Sequence, residues 1–169
     1  MTRTVYLLRH AKSSWDDPAL DDIDRPLAPR GERAARAMAR HLALAGVAPS
    51  IVLCSPARRT RETVDLVRSG LPGTTEVRIE DALYGAGPAE VLRMLRRLPD
   101  DAPIVMVVGH NPEMQEVALT LGGGGPARRR IAARYPTGAL CELVFPVETW
   151  GAVAAGVAEV TAFVTPKDL

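Results

Sequence analysis

Cysteine is nearly absent from this chain of 169 residues: Cys54 and Cys141 are the only two, each inside an apolar run. Free cysteine is among the most buried residue types, so both read as core thiols. Excess charge is missing as well. Twenty-one Lys and Arg against twenty Asp and Glu leave a formal net charge of +1. The chain as a whole therefore has no general attraction for nucleic acid or a membrane surface, and any anion must be held by a local arrangement. Long hydrophobic runs are lacking too. Four apolar residues, Val5 to Leu8, precede Arg9, too few for a secretory signal, and nothing approaches the roughly 18 residues of a membrane span. A cytoplasmic protein is expected. Lysine is scarce: Lys12 and Lys167 stand against nineteen arginines. Such a chain-wide bias empties a lone arginine of meaning, and spacing has to carry the argument.

What is there suits one domain over residues 1–169, with a substantial core. Short continuous apolar runs at Val5–Leu8, Ile51–Leu53 and Ile104–Val108 have the form of strands buried on both faces of a mainly parallel sheet. Helical patterns lie between them. In "RGERAARAMARHLALAG", Ala35, Met38, Leu42 and Ala45 form one stripe, Arg33, Arg36 and Arg40 the opposite side, and Gly46 a stop. His41 lies beside the stripe as a structural or surface histidine. Further helices are expected after Ser55-Pro56, ending near Gly70; after Gly87-Pro88, with Val91, Leu95 and Leu98 inward; and at Asn111-Pro112, with Asn111 as cap. "ALCELVF" and "VAEVTAFV" read as later, partly exposed strands. The whole is an α/β layered fold. "GGGGP" at 122–126 lacks the Lys-Ser or Lys-Thr of a phosphate loop and reads as a flexible connection; "RRR" at 128–130 reads as a solvated face or loop, with partner binding the lesser alternative. "DDPALDDID" reads as a solvated acidic loop, with a place bordering the site or repelling anionic substrates as the lesser alternative.

"VYLLRH", "IVLCSPARR" and "IVMVVGHNP" each end a predicted parallel strand on polar groups, and in open α/β sheets ligands bind beyond the carboxyl ends of the strands. Their convergence would assemble His10, His110, Arg9, Arg59 and helix N-termini. That set suits a phosphoryl group in transfer, whose oxygens carry charge that fixed guanidinium groups stabilise. A neutral imidazole can attack phosphorus through one nitrogen while a hydrogen bond holds the proton on the other. No metal or other cofactor is implied. The three histidines lie 31 and 69 residues apart, with no Cys or carboxylate at metal-site spacing.

These residues resemble the histidine phosphatase superfamily, the phosphoglycerate mutase-like fold. Its Arg-His appears as Arg9-His10, its Ser-Pro-x-x-Arg-x-x-x-Thr as Ser55, Pro56, Arg59 and Thr63, and its Gly-His as Gly109-His110. More narrowly, "RHAKSSW", "DRPLAPRG", "VGHNPEM", "YPTGAL" and "FVTPKDL" are similar to the small SixA-type phosphohistidine phosphatases, over nearly the whole chain. The resemblance implies a three-layer fold, a mixed and mostly parallel sheet flanked by helices. His10 would be the nucleophile, and Arg9, Arg59 and His110 would clasp the phosphoryl group. It implies metal-independent hydrolysis of a phosphorylated protein, with phosphohistidine foremost, or of a small phosphate ester.

Departures from the family pattern matter as much. Ala11, Lys12 and Ser13 follow the first histidine where many members have Gly then Thr; Ser13 is a candidate phosphate donor with a turn role as the alternative. Asn111 occupies the place of the acid that follows the second histidine in acid phosphatases. Asp81 is a candidate proton donor, with Glu80 beside it. A phospho-recognition module without turnover is the alternative outside the enzymes, although binding alone does not call for a nucleophilic histidine beside the arginines. A mutase is disfavoured, because the chain has no evident lid insertion to keep water from a phosphoenzyme.

Overall fold

The computed structural model describes residues 1–169. Seven strands, β1 (Arg3–Arg9), β2 (Ile51–Cys54), β3 (Glu76–Ile79), β4 (Ile104–Gly109), β5 (Gly122–Gly124), β6 (Leu140–Phe145) and β7 (Ala158–Val164), form one sheet in the order β3-β2-β4-β1-β6-β7-β5. The first four are mutually parallel; β6 runs antiparallel to β1 and β7, and β5 is parallel to β7. Helices α1 (Pro29–Leu44), α2 (Arg58–Val67), α3 (Pro88–Arg96), α4 (Glu113–Leu121) and α5 (Arg128–Ala133) complete a mixed, three-layer α/β architecture, as expected.

The three continuous apolar runs are β1, β2 and β4, and their composition follows from position. Successive side chains on a strand point to opposite faces. Val5, Leu7, Ile51, Leu53, Val105 and Val107 accordingly join Val91, Leu95, Met114 and Val117 of α3 and α4 in one core. Tyr6, Leu8, Val52, Cys54, Met106 and Val108 join Ala35, Met38 and Leu42 of α1 and Val64 and Val67 of α2 in the other. A polar residue anywhere in these runs would be buried, so none is present. Both cysteines are free and buried. Burial raises the Cys54 thiol to about 12 and that of Cys141 further still.

Several elements differ from the sequence expectation. Ala39 rather than Ala45 completes the buried stripe of α1, because the helix ends at Leu44 and Ala45 is exposed. β6 is mostly buried, since it lies between β1 and β7. β3 was not anticipated; as an edge strand with exposed Glu76 and Ile79 it lacks a continuous apolar run. The glycine run is not a loose connection: Gly122–Gly124 is edge strand β5. A Cβ on Gly123 would lie 2.0 Å from the carbonyl oxygen of Gly156, so the close approach of two backbones selects glycine there. The arginine run begins α5, and Arg128 donates to the carbonyls of Leu119 and Gly122 at the end of α4, a cation where free carbonyls collect.

Candidate active site

β1, β4 and β2 are neighbours whose carboxyl ends are aligned, with Arg9 opposite Gly109 and Cys54 opposite Val108. The pairing continues one residue beyond the strands: His10 N–H donates to Gly109 O and Ser55 N–H to Val108 O, both at 3.0 Å. Sheet register thus brings His10, Ser55 and His110 together across 100 residues of sequence. The two imidazole centroids are 5.4 Å apart.

His10 is held by Nδ1, which donates to the carbonyl of Ala11 at 2.7 Å. The carbonyl has no proton to give, so the Nδ1 position keeps its hydrogen and Nε2 carries the lone pair. Burial, then the charges of Arg59 and Arg9 and the neighbouring His110, lower the His10 pKa to about 3, although the bond to Ala11 works the other way. His110 is lowered to about 4, by burial first and then by the two arginines. Both rings are neutral at neutral pH, the form a nucleophilic imidazole requires.

Each residue of the Ser-Pro-x-x-Arg-x-x-x-Thr segment has a task. Ser55 is not a helix cap, because α2 begins only at Arg58; its Oγ lies 2.7 Å from Nε2 of His110. That hydroxyl also accepts from Ala57 N–H, and with one proton and a second lone pair it pairs with Nε2 in either tautomer of His110. Thr63 Oγ1 accepts from Ala11 N–H at 3.0 Å and donates to Arg59 O, tying the nucleophile loop to α2. Arg59 itself reaches back, its Nη1 to Asp22 O at 2.7 Å and its Nη2 to Asp22 Oδ2 at 3.0 Å.

Arg9 donates through Nη1 to Tyr135 O at 2.9 Å. Its pKa is lowered, by burial and then by Arg134 and Arg59. Arg9 Nε, Arg59 Nε and His110 Nδ1 are all buried without a protein partner. Three nitrogens on residues that act on His10 are thereby uncommitted, a set suited to the oxygens of a phosphoryl group.

The acidic loop borders the site, the lesser of the readings its sequence allowed. A short turn over Asp22–Asp24 delivers Asp22, whose carboxylate accepts from Arg59, Arg25 and Tyr84. Those bonds, Tyr84's foremost, lower its pKa to about 2. The remaining acids of the loop, Asp16, Asp17, Asp21 and Asp24, are exposed. A cleft of about 240 Å³ is lined by Asp22, Arg59, Tyr84, Gly85, His110, Asn111 and Glu113. Tyr84 stands edge-on to His110, and one oxygen of Glu113 is buried without a partner.

Asp22, Tyr84 and Glu113 were missed from sequence. The segments carrying Asp22 and Tyr84 have no periodicity, and the one available signal for Glu113 was its place at the first residue of α4, three residues after His110. Asp81 is exposed, makes no side-chain hydrogen bond and does not line the cleft; Tyr84 is what its turn contributes. Glu80, half-buried, is not on the lining either. Ser13 is buried and accepts from Arg25 at 2.8 Å, so the structure gives its oxygen an internal role in holding the acidic loop. The N-cap of α4 is Pro112 rather than Asn111; Asn111 lies one residue earlier, its side chain accepting from Gln115 N–H and donating to Tyr135 O. His41 is half-buried on α1, away from the cleft. No group of three or more His, Cys, Asp or Glu side chains is arranged to hold a metal ion, and no helix is long and apolar enough to cross a membrane.

Comparison with known proteins places these features in context. The family model for the histidine phosphatase superfamily (branch 1) matches residues 5–87. An uncharacterized protein of Mycobacterium tuberculosis is 35% identical over 164 residues, spanning 95% of this chain and 100% of its own. The solved structure of a putative phosphohistidine phosphatase SixA from Nakamurella multipartitia is 31% identical with a TM-score of 0.81, covering 98% of this chain and 97% of that one. The putative SixA from Agrobacterium tumefaciens is 26% identical, also at a TM-score of 0.81, covering 97% and 98% respectively.

Proposed function

This chain belongs to the histidine phosphatase superfamily, and from that premise we propose that it is a metal-independent phosphohydrolase that works through a phosphorylated His10 and acts on phosphohistidine carried by a protein. The observation that carries the reading is the Nδ1–H bond of His10 to Ala11 O, which leaves the lone pair of a neutral ring on Nε2, within the field of Arg59 and Arg9.

In the first step the Nε2 lone pair forms a bond to phosphorus while the bond to the leaving group breaks. Arg9, Arg59 and His110 stabilise the charge on the phosphoryl oxygens. A phosphorylated imidazole departs as a neutral ring once its own nitrogen is protonated. Water then attacks phosphorus, the bond to His10 breaks, and inorganic phosphate leaves with the proton balance closed by solvent. Asp22, held ionised by its three partners, has no proton to contribute. Phosphohistidine therefore suits this site better than an alkyl ester, whose alkoxide needs an acid. The name carried by the Nakamurella relative supports the same substrate. A cytoplasmic location belongs to the same proposal.

A small phosphate ester is the second reading, favoured by Glu113, the cleft carboxylate with an uncommitted oxygen. Rapid quenching with substrate tests the common mechanism: His10 is expected to carry an acid-labile, base-stable phosphoryl group, and His10→Ala to show neither label nor turnover. Near-normal turnover by His10→Ala would sink it. A panel of phosphohistidine protein, phosphoramidate and sugar phosphates, with and without a chelator, separates the substrates and tests metal independence.

A further inference from the structure

The catalytic cleft is not the only concavity of the molecule. A groove of about 350 Å³ runs between the start of α1, α5 and the chain end, and Lys12, Arg30, Arg130, Arg134 and Lys167 line it with no carboxylate among the lining residues. Such a concentration is out of keeping with a chain whose net charge is +1. Elsewhere carboxylates sit beside several of the cations, as in Arg36–Glu32, Arg58–Glu62, Arg78–Glu76 and Arg93–Glu90, whereas none lines this groove. Within the groove only Arg130 has an acidic partner, Asp168; the other four have no salt bridge. Like charges facing one concavity repel one another and weaken the fold, so their collection there calls for an anionic occupant.

The groove is rigidly joined to the catalytic loop. Lys12 lies two residues beyond His10, and its carbonyl accepts from Ala28 N–H at 2.9 Å. A Cβ on Gly31 would lie 2.0 Å from that same carbonyl oxygen, so the first turn of α1 seats directly on the loop. On the far wall, Gly138 N–H donates to His10 O at 2.9 Å, just past Pro136 and Thr137 of the lining. Arg134 acts electrostatically on Arg9. Whatever fills the groove is thereby fixed relative to the nucleophile.

We propose that this groove docks an acidic surface of the protein that presents phosphohistidine to His10. The inference rests on the substrate reading above. Lys12, Arg30, Arg130, Arg134 and Lys167 are all exposed, spread over four segments and interspersed with apolar Ala34, Ala133 and Pro166. A lone phosphate would call for convergent buried donors; a run of carboxylates on a protein surface matches spread, mobile cations. Electrostatic complementarity of this kind acts mainly on encounter rate and partner choice.

Three phosphohistidine peptides with glutamate, alanine or lysine flanks, together with free phosphohistidine, test it on the wild-type chain and on an Arg30→Glu, Lys167→Glu double variant. Neither position belongs to the catalytic machinery. At low salt the glutamate-flanked peptide is expected to exceed the lysine-flanked one in kcat/KM by at least about tenfold, and the gap to narrow as salt screens it. The double variant is expected to abolish that order and leave free phosphohistidine unchanged. Phosphotyrosine peptides with the same flanks separate the two readings. If phosphohistidine is inert while the tyrosine series keeps the charge order, the substrate assignment falls and the groove stands. No dependence on flanking charge in either series, or an equal loss on free phosphohistidine in the double variant, overturns the groove.

Discussion

Ser55 Oγ and His110 Nε2 lie 2.7 Å apart, joining the end of β2 to the end of β4 and fixing which nitrogen of His110 faces the cleft. Ser55→Ala is expected to lower kcat/KM on an aryl phosphate by roughly ten- to a hundredfold, because a buried ring nitrogen left unsatisfied costs about 1–3 kcal/mol. Steady-state kinetics on a variant shown by thermal melting to be folded checks this. Unchanged kcat/KM would remove His110's orientation from the mechanism.

Arg59 and Arg58 are adjacent in sequence and opposite in fate. Arg59 is buried at the cleft, whereas Arg58 is half-exposed and paired with Glu62 one turn along. Arg59→Ala is expected to reduce kcat by about 10²–10³, the usual cost of removing a preorganised charge donor. It should also weaken inhibition by vanadate. Arg58→Ala is expected to change either quantity less than about threefold, since an exposed i,i+4 pair contributes only ~0.3–0.5 kcal/mol to stability. Comparable losses in the two variants would refute the spacing argument.

The histidine environment makes a statement about stability and pH. Both His10 and His110 have folded pKa values, about 3 and about 4, below the 6.5 of an exposed imidazole. The unfolded chain therefore binds more protons than the folded one as pH falls below 6.5, and stability is lost progressively through pH 4 while being fully present above 6.5. Tm measured from pH 7 to 4 is expected to fall, and His110→Gln to flatten the curve by at least about 2 °C at the acid end, the shift that ~1 kcal/mol produces in a domain of this size. Parallel curves for the two proteins would contradict the assigned protonation.

The proton donor divides the substrate readings. Glu113→Gln is expected to slow alkyl ester hydrolysis by roughly a hundredfold, within the usual worth of general acid assistance, and to leave phosphohistidine hydrolysis nearly unchanged. Asp81→Asn, at an exposed residue outside the cleft, is expected to alter neither. An equal loss on both substrates for Glu113→Gln would assign that residue to binding rather than proton transfer.

The sequence by itself determined the layered core and the centre of the site. Strands buried on both faces admit no polar residue, so β1, β2 and β4 stand out as unbroken apolar runs, and a parallel sheet sends their ends to one side, where Arg9, His10, Ser55 and His110 lie. Local chemistry also marked α1, α3 and α4 through stripe, Pro and cap. Tertiary structure alone decided the rest. Asp22 and Tyr84 reach the cleft on turns with no periodicity, held by hydrogen bonds between segments 62 residues apart. Ser55 reads in the sequence as a helix cap, and only the register of β2 on β4 makes it the partner of His110. Asp81 and Tyr84 sit three residues apart on one turn, and its path puts the tyrosine in the cleft and the carboxylate in solvent. The glycine run becomes a strand because Gly156 lies against it, and five scattered cations become one groove because α1, α5 and the chain end pack side by side. Contacts of this kind join residues far apart in the chain, and a linear pattern carries periodicity and local chemistry but not distance.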